Sequence, residues 1–316
     1  MNQKTVVLNA AKMDYDGRLD LSQLSPDLTV YPDSAPEQIL ERVRGAAVVV
    51  TKELVIDASL LSRFPDSVKL ICEAGTGYNN LAMDAARAKG ITVCNIPAYS
   101  TQRVAQTALM LMLNLSSSMG AQLAMLARGD RSNFTDCLKV DHVELNGKTL
   151  GLVGTGNIGR AVARAAQALD MEVLGWARTP RPDAGGIRYV PMEELLRRSD
   201  YLSLHCPLTP ETRHLIGADS LARMKPTAFL INTSRGALVD EAALIAALRA
   251  GTIAGAGLDV QETEPPAQDS PLYTMENVIL TPHMGWKGLE TRRRLVSLLA
   301  GNIRAFFGGR PINVVS

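Results

Sequence analysis

The chain has 316 residues, 46% hydrophobic and 21% charged, an ordinary globular composition with room for about two domains. Thirty-three Lys and Arg against 32 Asp and Glu leave a net charge of +1, so nothing recruits nucleic acid or an anionic membrane surface, and seven Tyr, five Phe and two Trp are too few for a base-stacking platform. Four Cys with no CxxC pair, and only four His, argue against a metal site or a disulfide framework and for a reducing, cytoplasmic setting.

Residues 1–17 carry two Lys and too short an apolar run for a signal peptide, so none is expected. Strands are predicted at 5–10, 47–51, 68–72 and 91–95, with helices over 36–46 and 81–89, the latter ending at Gly90 in a left-handed cap. This alternation argues for a parallel sheet covered by helices. A glycine-rich turn, Gly75-Thr76-Gly77, follows the third strand. At 96–103 (IPAYSTQR) Pro97 stops the pattern, Ser100 or Thr101 caps the helix that follows, and a domain crossover is expected. The uncharged stretch 104–127 holds polar residues such as Gln106, Asn114 and Gln122, with apolar residues at helical spacing. It reads as one buried helix of a soluble protein rather than a membrane span.

A second alternating run has strands at 150–154, 171–177, 201–205, 228–232, 253–258 and 278–281, with helices in most of the gaps. A last helix over 288–307 would return the chain to the first domain. The expected domains are 1–100 with 284–316, and 101–283.

The strand at 150–154 runs into Gly154-Thr-Gly156-Asn157-Ile158-Gly159 and then a helix, RAVARAAQAL. In the frame of strand, helix and second strand, GxGxxG is a dinucleotide-binding fingerprint. Gly154 permits the tight turn, Gly156 lets the backbone approach a pyrophosphate, and Gly159 lets helix and strand pack closely. Asn157 and Ile158 open a helix whose free N–H groups face the phosphates. An acidic residue that binds the ribose diol of NAD is expected at the end of the second strand, but the position 18 residues after Gly159 holds Ala177, followed by Arg178 and Thr179. A guanidinium and a hydroxyl suit a 2′-phosphate, so NADP is preferred over NAD, with Arg181 within loop reach. A solvated Arg178, or one stacked on adenine and tolerant of both cofactors, are the alternatives.

Three more segments end predicted strands: INTSRG at 231–236, GLDVQETEP at 257–265 and LTPH at 280–283. Ligands bind beyond the carboxyl ends of strands in such sheets, so Arg235, Glu264 and His283 could converge on a nicotinamide. Singly, each has a plainer reading: a structural His, a solvated Arg, a turn Glu.

Taken together and in order, these four motifs resemble the D-isomer-specific 2-hydroxyacid dehydrogenase family. The resemblance covers essentially the whole chain, including EAGTGYN at 73–79, NIP at 95–97 and HCPLTPET at 205–212. It implies an α/β fold of two doubly wound parallel-sheet domains, a Rossmann cofactor domain and a flavodoxin-like substrate domain, with a cleft between them that closes to exclude water. It implies His283 as general acid in reduction and base in reverse, and Glu264 as the partner that fixes the imidazole tautomer and raises its pKa. Arg235 would pair with the carboxylate of a 2-oxo acid, and N–H groups around Ala74 and Gly75 would hold its other side. Asp259 would position the nicotinamide carboxamide, and Pro207, Thr212 and Thr233 would line the cofactor.

The formate dehydrogenases of the family carry Gln where Glu264 stands, and the long phosphoglycerate dehydrogenases carry a further C-terminal domain not expected here. PAYST at 97–101, VAQ at 104–106 and TPHMGW at 281–286 look most like the hydroxypyruvate reductase and glycerate dehydrogenase branch, from which Ala177 and Lys287 depart. The expected activity is hydride transfer between NADP or NAD and a small 2-oxo acid, hydroxypyruvate or glyoxylate. A D-lactate-type enzyme, or a corepressor-like protein that senses NAD(H) and binds a peptide, are the alternatives. No membrane or nucleic-acid partner is expected. The resemblance implies a homodimer, placed here on 104–127 and the segment up to about 150.

Overall fold

The computed structural model describes residues 3–179 and 185–316. Arg181, expected near a 2′-phosphate, lies outside the described residues. The chain divides into two units, 1–100 with 286–316, and 101–285.

The N-terminal unit is built on short runs of β-branched residues, which pack well on a pleated surface buried on both faces. Its strands are β1 (Thr5–Val7), β2 (Leu28–Val30), β3 (Val48–Thr51), β4 (Leu70–Glu73) and β5 (Thr92–Cys94), in the order β2-β1-β3-β4-β5. Every pairing is parallel. Alternation along β3 sends Val48 and Val50 into a core with Trp286, Leu295 and Leu299, and Val49 into a second core with Ile39, Leu61 and Phe64. The helix Leu289–Phe307 covers the first of these faces.

The second unit carries β6 (Thr149–Val153), β7 (Glu172–Trp176), β8 (Arg188–Tyr189), β9 (Tyr201–Leu204), β10 (Phe229–Asn232), β11 (Gly255–Leu258) and β12 (Val278–Leu280). They form one parallel sheet in the order β12-β11-β10-β9-β6-β7-β8. Strand order reverses between β6 and β9, the switch point at which doubly wound sheets take their ligands. The sheet order of the first unit is the flavodoxin-like one, and that of the second is the Rossmann order with one strand added.

Two strands lie outside the sequence expectations, β2 and β8. Both are edge strands of two or three residues with part-exposed side chains, and so lack the apolar run that marks a central strand.

The stretch 104–127 departs further. It is two helices, Thr101–Ser116 and Met119–Ala127, bent by 63°. The break falls in a run of serines, where hydroxyls compete with the helix for backbone groups. Ser118 sits at φ +47 and its hydroxyl donates to Asp141 O at 2.7 Å, while Val143 N–H donates to Ser116 O at 2.9 Å. The first helix buries Ala108, Leu111 and Met112, but Leu123 and Leu126 of the second are exposed, so the expectation of one buried helix is corrected. Among the described residues no single helix is long and apolar enough to cross a membrane.

Candidate active site

The turn after β6 is built from backbone. Gly154 takes φ +95, and a Cβ there would stand 2.7 Å from Cys206 N and from the carbonyl carbon of His205. A Cβ on Gly159 would stand 2.3 Å from Gly154 O. Nothing lies within 4 Å of the Cβ position of Gly156, which caps the helix Asn157–Gln167. The first turn of that helix leaves its N–H groups without intrahelical acceptors. The Asn157 side-chain oxygen accepts from Arg160 at 2.9 Å, and Ile158 is partly buried against the core. His205 lies beneath the turn, with Nε2 2.9 Å from Ser203 Oγ, and burial pushes its pKa down to about 4.

β7 runs into Ala177, and Arg178 and Thr179 beyond it are exposed. Glu211 is held below the ordinary carboxylate range, mainly by a hydrogen bond from Thr209 and in smaller part by the charge of Arg178. Pro207 and Thr212 close a loop: Thr212 Oγ1 donates to Pro207 O at 2.8 Å and accepts from Thr209 N–H at 2.7 Å. At the end of β10, Thr233 Oγ1 is buried with no hydrogen-bond partner among the described residues. An open glycine face, a helix N-terminus and an orphaned buried hydroxyl fit an anionic dinucleotide.

Beyond Thr233, Asn232 shapes the loop by donating to Arg235 O at 2.8 Å and accepting from Ser234 N–H at 3.0 Å. Arg235 donates to Ser234 O at 2.8 Å, and its guanidinium pairs with no carboxylate among the described residues. Gly236 has no room for a side chain, since a Cβ would fall 1.8 Å from Gln261 O. This contact seats the Arg235 loop directly on the loop that carries Glu264.

His283 follows β12 at φ +47, and its Nδ1–H donates to Glu264 Oε2 at 2.8 Å. Glu264 Oε1 accepts from Gln261 N–H at 3.2 Å. The imidazole is partly exposed, and Nε2 has no hydrogen bond among the described residues. Asp259, expected at the nicotinamide, does a job the sequence did not announce. Its carboxylate accepts from Thr281 Oγ1 at 2.5 Å, Met284 N–H at 2.8 Å and Gly285 N–H at 2.8 Å, and its backbone oxygen accepts from His283 N–H at 2.9 Å. A buried carboxylate saturated in this way holds the His283 loop in its left-handed conformation.

In the N-terminal unit the Ala74 N–H donates to Thr51 O at 2.7 Å, extending the sheet, so it is not open to a substrate. The expectation for Ala74 is corrected, and the N–H groups of Gly75, Thr76 and Gly77 are those without a partner among the described residues. Beside them lie Lys52 and Glu53, which motif reading passed over, and Glu73, which it quoted in EAGTGYN without a role. Their only sequence signal is charge at the end of apolar strands, VVVTKE and LICE.

The family described as D-isomer specific 2-hydroxyacid dehydrogenase, NAD binding domain, matches residues 109–285. A hydroxypyruvate reductase of Blautia hydrogenotrophica is 36% identical over 314 residues, 98% of this chain and 97% of that one. A glycerate dehydrogenase of Methylorubrum extorquens is 40% identical over 284 residues, 89% of this chain and 88% of that one. An NADPH-dependent glyoxylate/hydroxypyruvate reductase of Sinorhizobium meliloti, solved with NADP and malonate, is 30% identical with a TM-score of 0.86, covering 100% of this chain and 97% of that one.

Proposed function

This chain belongs to the D-isomer specific 2-hydroxyacid dehydrogenase family, and we propose that it reduces hydroxypyruvate to D-glycerate, or glyoxylate to glycolate, with NADPH. The observation that carries this reading is the 2.8 Å bond from His283 Nδ1–H to Glu264, which leaves Nε2 without a hydrogen-bond partner among the described residues and so able to exchange a proton with substrate. The reduced nicotinamide supplies a hydride when bound. His283 Nε2 gives a proton to the carbonyl oxygen in reduction and takes it back in the reverse direction. Glu264 fixes the ring orientation and balances the imidazolium charge. Arg235, whose guanidinium pairs with no carboxylate among the described residues, holds the substrate's acid group. The N–H groups of Gly75, Thr76 and Gly77 are donors suited to a carboxylate.

The preference for NADPH rests on Ala177 and the exposed Arg178 and Thr179. No carboxylate at 177 repels a 2′-phosphate, and Arg178 can pair with it. Steady-state turnover of hydroxypyruvate and glyoxylate with NADPH and NADH tests both parts. NADPH should be favoured by roughly 10- to 100-fold in kcat/KM, and Arg178→Ala should erase most of that margin. A wild-type preference for NADH refutes the cofactor assignment, and failure to turn over either acid refutes the substrate assignment.

We also propose a two-fold homodimer. Met119, Leu123, Leu126, Phe134 and Leu138 are all exposed within one stretch of the second unit, an apolar concentration that a second copy would cover. Light scattering at micromolar protein should give twice the 34.0 kDa chain mass, and a monomeric mass overturns the assignment.

A further inference from the structure

At the carboxyl end of β3 stands a lysine that the acid–base chemistry above does not use. The Lys52 side chain is 3% exposed. An ammonium is costly to bury unless it is paired and hydrogen-bonded, and Lys52 is held on several sides. Its backbone N–H donates to Asn9 Oδ1 at 2.9 Å, Nζ pairs with the Glu53 carboxylate, and Nζ lies 4.1 Å from the centroid of the Trp286 ring. The glycine-rich turn is its next neighbour. A Cβ on Gly75 would stand 3.3 Å from Lys52 Nζ and 3.4 Å from Glu73 Oε1, so glycine at 75 lets the pair approach the turn closely.

Glu53 gives a second, independent sign. It is 45% exposed and takes φ +55, a conformation that residues other than glycine rarely adopt. Its N–H donates to Glu73 Oε1 at 2.9 Å, and Asn80 Nδ2 donates to Glu73 Oε2 at 3.0 Å. A buried carboxylate thus holds a strained residue on a strand-end loop, the arrangement that recurs at ligand clamps. The place in the sheet agrees. Asn9 follows β1 and Lys52 follows β3, and the crevice between those two strand ends is the switch point of a flavodoxin-like sheet.

Charge balance decides what this element takes. Glu53 offsets Lys52, and Glu73, its carboxyl pushed up to about 7 by burial, adds a further acidic group. A second carboxylate on a substrate would meet two acidic side chains. A hydroxyl instead accepts from the ammonium and donates to a carboxylate.

We propose that Lys52 and Glu53 are a specificity-determining pair that selects 2-oxo acids bearing a hydroxyl on C3 over the same acids with a methyl group there. This rests on the proposed reduction of small 2-oxo acids. The test is kcat/KM with NADPH for hydroxypyruvate and pyruvate, which differ by that hydroxyl, in wild type, Lys52→Met and Glu53→Gln. The wild type should favour hydroxypyruvate by about tenfold or more, and each substitution should reduce that ratio by about threefold to tenfold. A ratio unmoved in both variants, including an equal loss on both acids as a merely structural role would give, overturns the pair. If Lys52→Met does not fold, Glu53→Gln at its part-exposed position decides alone. Turnover of neither acid by the wild type refutes the substrate class and the pair with it; turnover of both, with the ratio unmoved by substitution, refutes the pair alone.

Discussion

Each unit ends a central strand in a glycine-rich turn, and the two turns need their glycines for different reasons. After β6, the space around Gly154 and Gly159 is filled by backbone of His205, Cys206 and Gly154 itself. Those are main-chain atoms of the turn itself and of the segment that follows β9, which cannot move aside as a side-chain tip can. After β4, Gly75 is crowded only by Lys52 Nζ and Glu73 Oε1, the tips of side chains. The first turn is a rigid backbone cradle whose chemistry resides in its own N–H groups. The second adds to its own N–H groups the side chains packed beside it, one of them Lys52, more than twenty positions earlier in the chain. Under the proposed function the first would take a nucleotide phosphate, the same in every dinucleotide, and the second a variable small acid.

The largest expected effect comes from hardening this contrast at Gly154. Gly154→Ala combines φ +95 with a Cβ 2.7 Å from backbone, and should cost about 3 kcal/mol or more in chemical denaturation, with loss of NADPH binding. A cost under about 1 kcal/mol would show that the turn yields, and the contrast would fall.

The titratable groups behind the two turns differ in sign. Burial lifts Glu73 from 4.5 to about 7, so the folded state binds this proton more tightly than the unfolded chain. Stability through Glu73 is therefore lost as pH rises from 4.5 through about 7. His205, lowered from 6.5 to about 4, contributes stability that is present above 6.5 and lost as pH falls toward 4. Between pH 5 and 8 the wild type should lose roughly 2 kcal/mol relative to Glu73→Gln, in which His205 is unchanged and cancels. Parallel stability curves for the two proteins would mean that Glu73 does not hold its proton in the fold.

The smallest stability effects belong to the open positions. Gly75→Ala should cost within about 1 kcal/mol, because the Lys52 tip can shift, and Gly156→Ala less still, because nothing lies within 4 Å of its Cβ. Their functional marks should separate cleanly: Gly156→Ala weakens NADPH binding by about tenfold or more, whereas Gly75→Ala leaves NADPH binding in place and raises KM for the 2-oxo acid. Gly75→Ala with a large loss of stability would make the second turn as rigid as the first.

Legibility followed the range of the interactions involved. Central strands such as β3 and β6 could be read because Val48-Val49-Val50 and Leu150-Gly151-Leu152 are apolar on both faces, a property of adjacent residues. The edge strands β2 and β8 could not, because their pairing depends on a neighbour rather than on their own pattern. The helix predicted over 104–127 carries a continuous apolar period, yet Ser118 hydrogen-bonds Asp141 and the chain turns by 63°. That competition is invisible until residues 23 apart meet.

By itself, then, the sequence determined the parallel α/β order and singled out the glycine turn at 154–159 and Arg235, Glu264 and His283 as candidates, because each is written in short runs or ordered motifs. Only the tertiary structure decided that Asp259 is saturated by Thr281, Met284 and Gly285, that the Ala74 N–H is spent on Thr51, and that Lys52 lies between Glu53, Trp286 and Gly75. Those outcomes depend on which donors and charges meet when strands far apart in sequence are brought side by side. Burial then makes each such meeting count, since a buried polar group must find its partner within the fold.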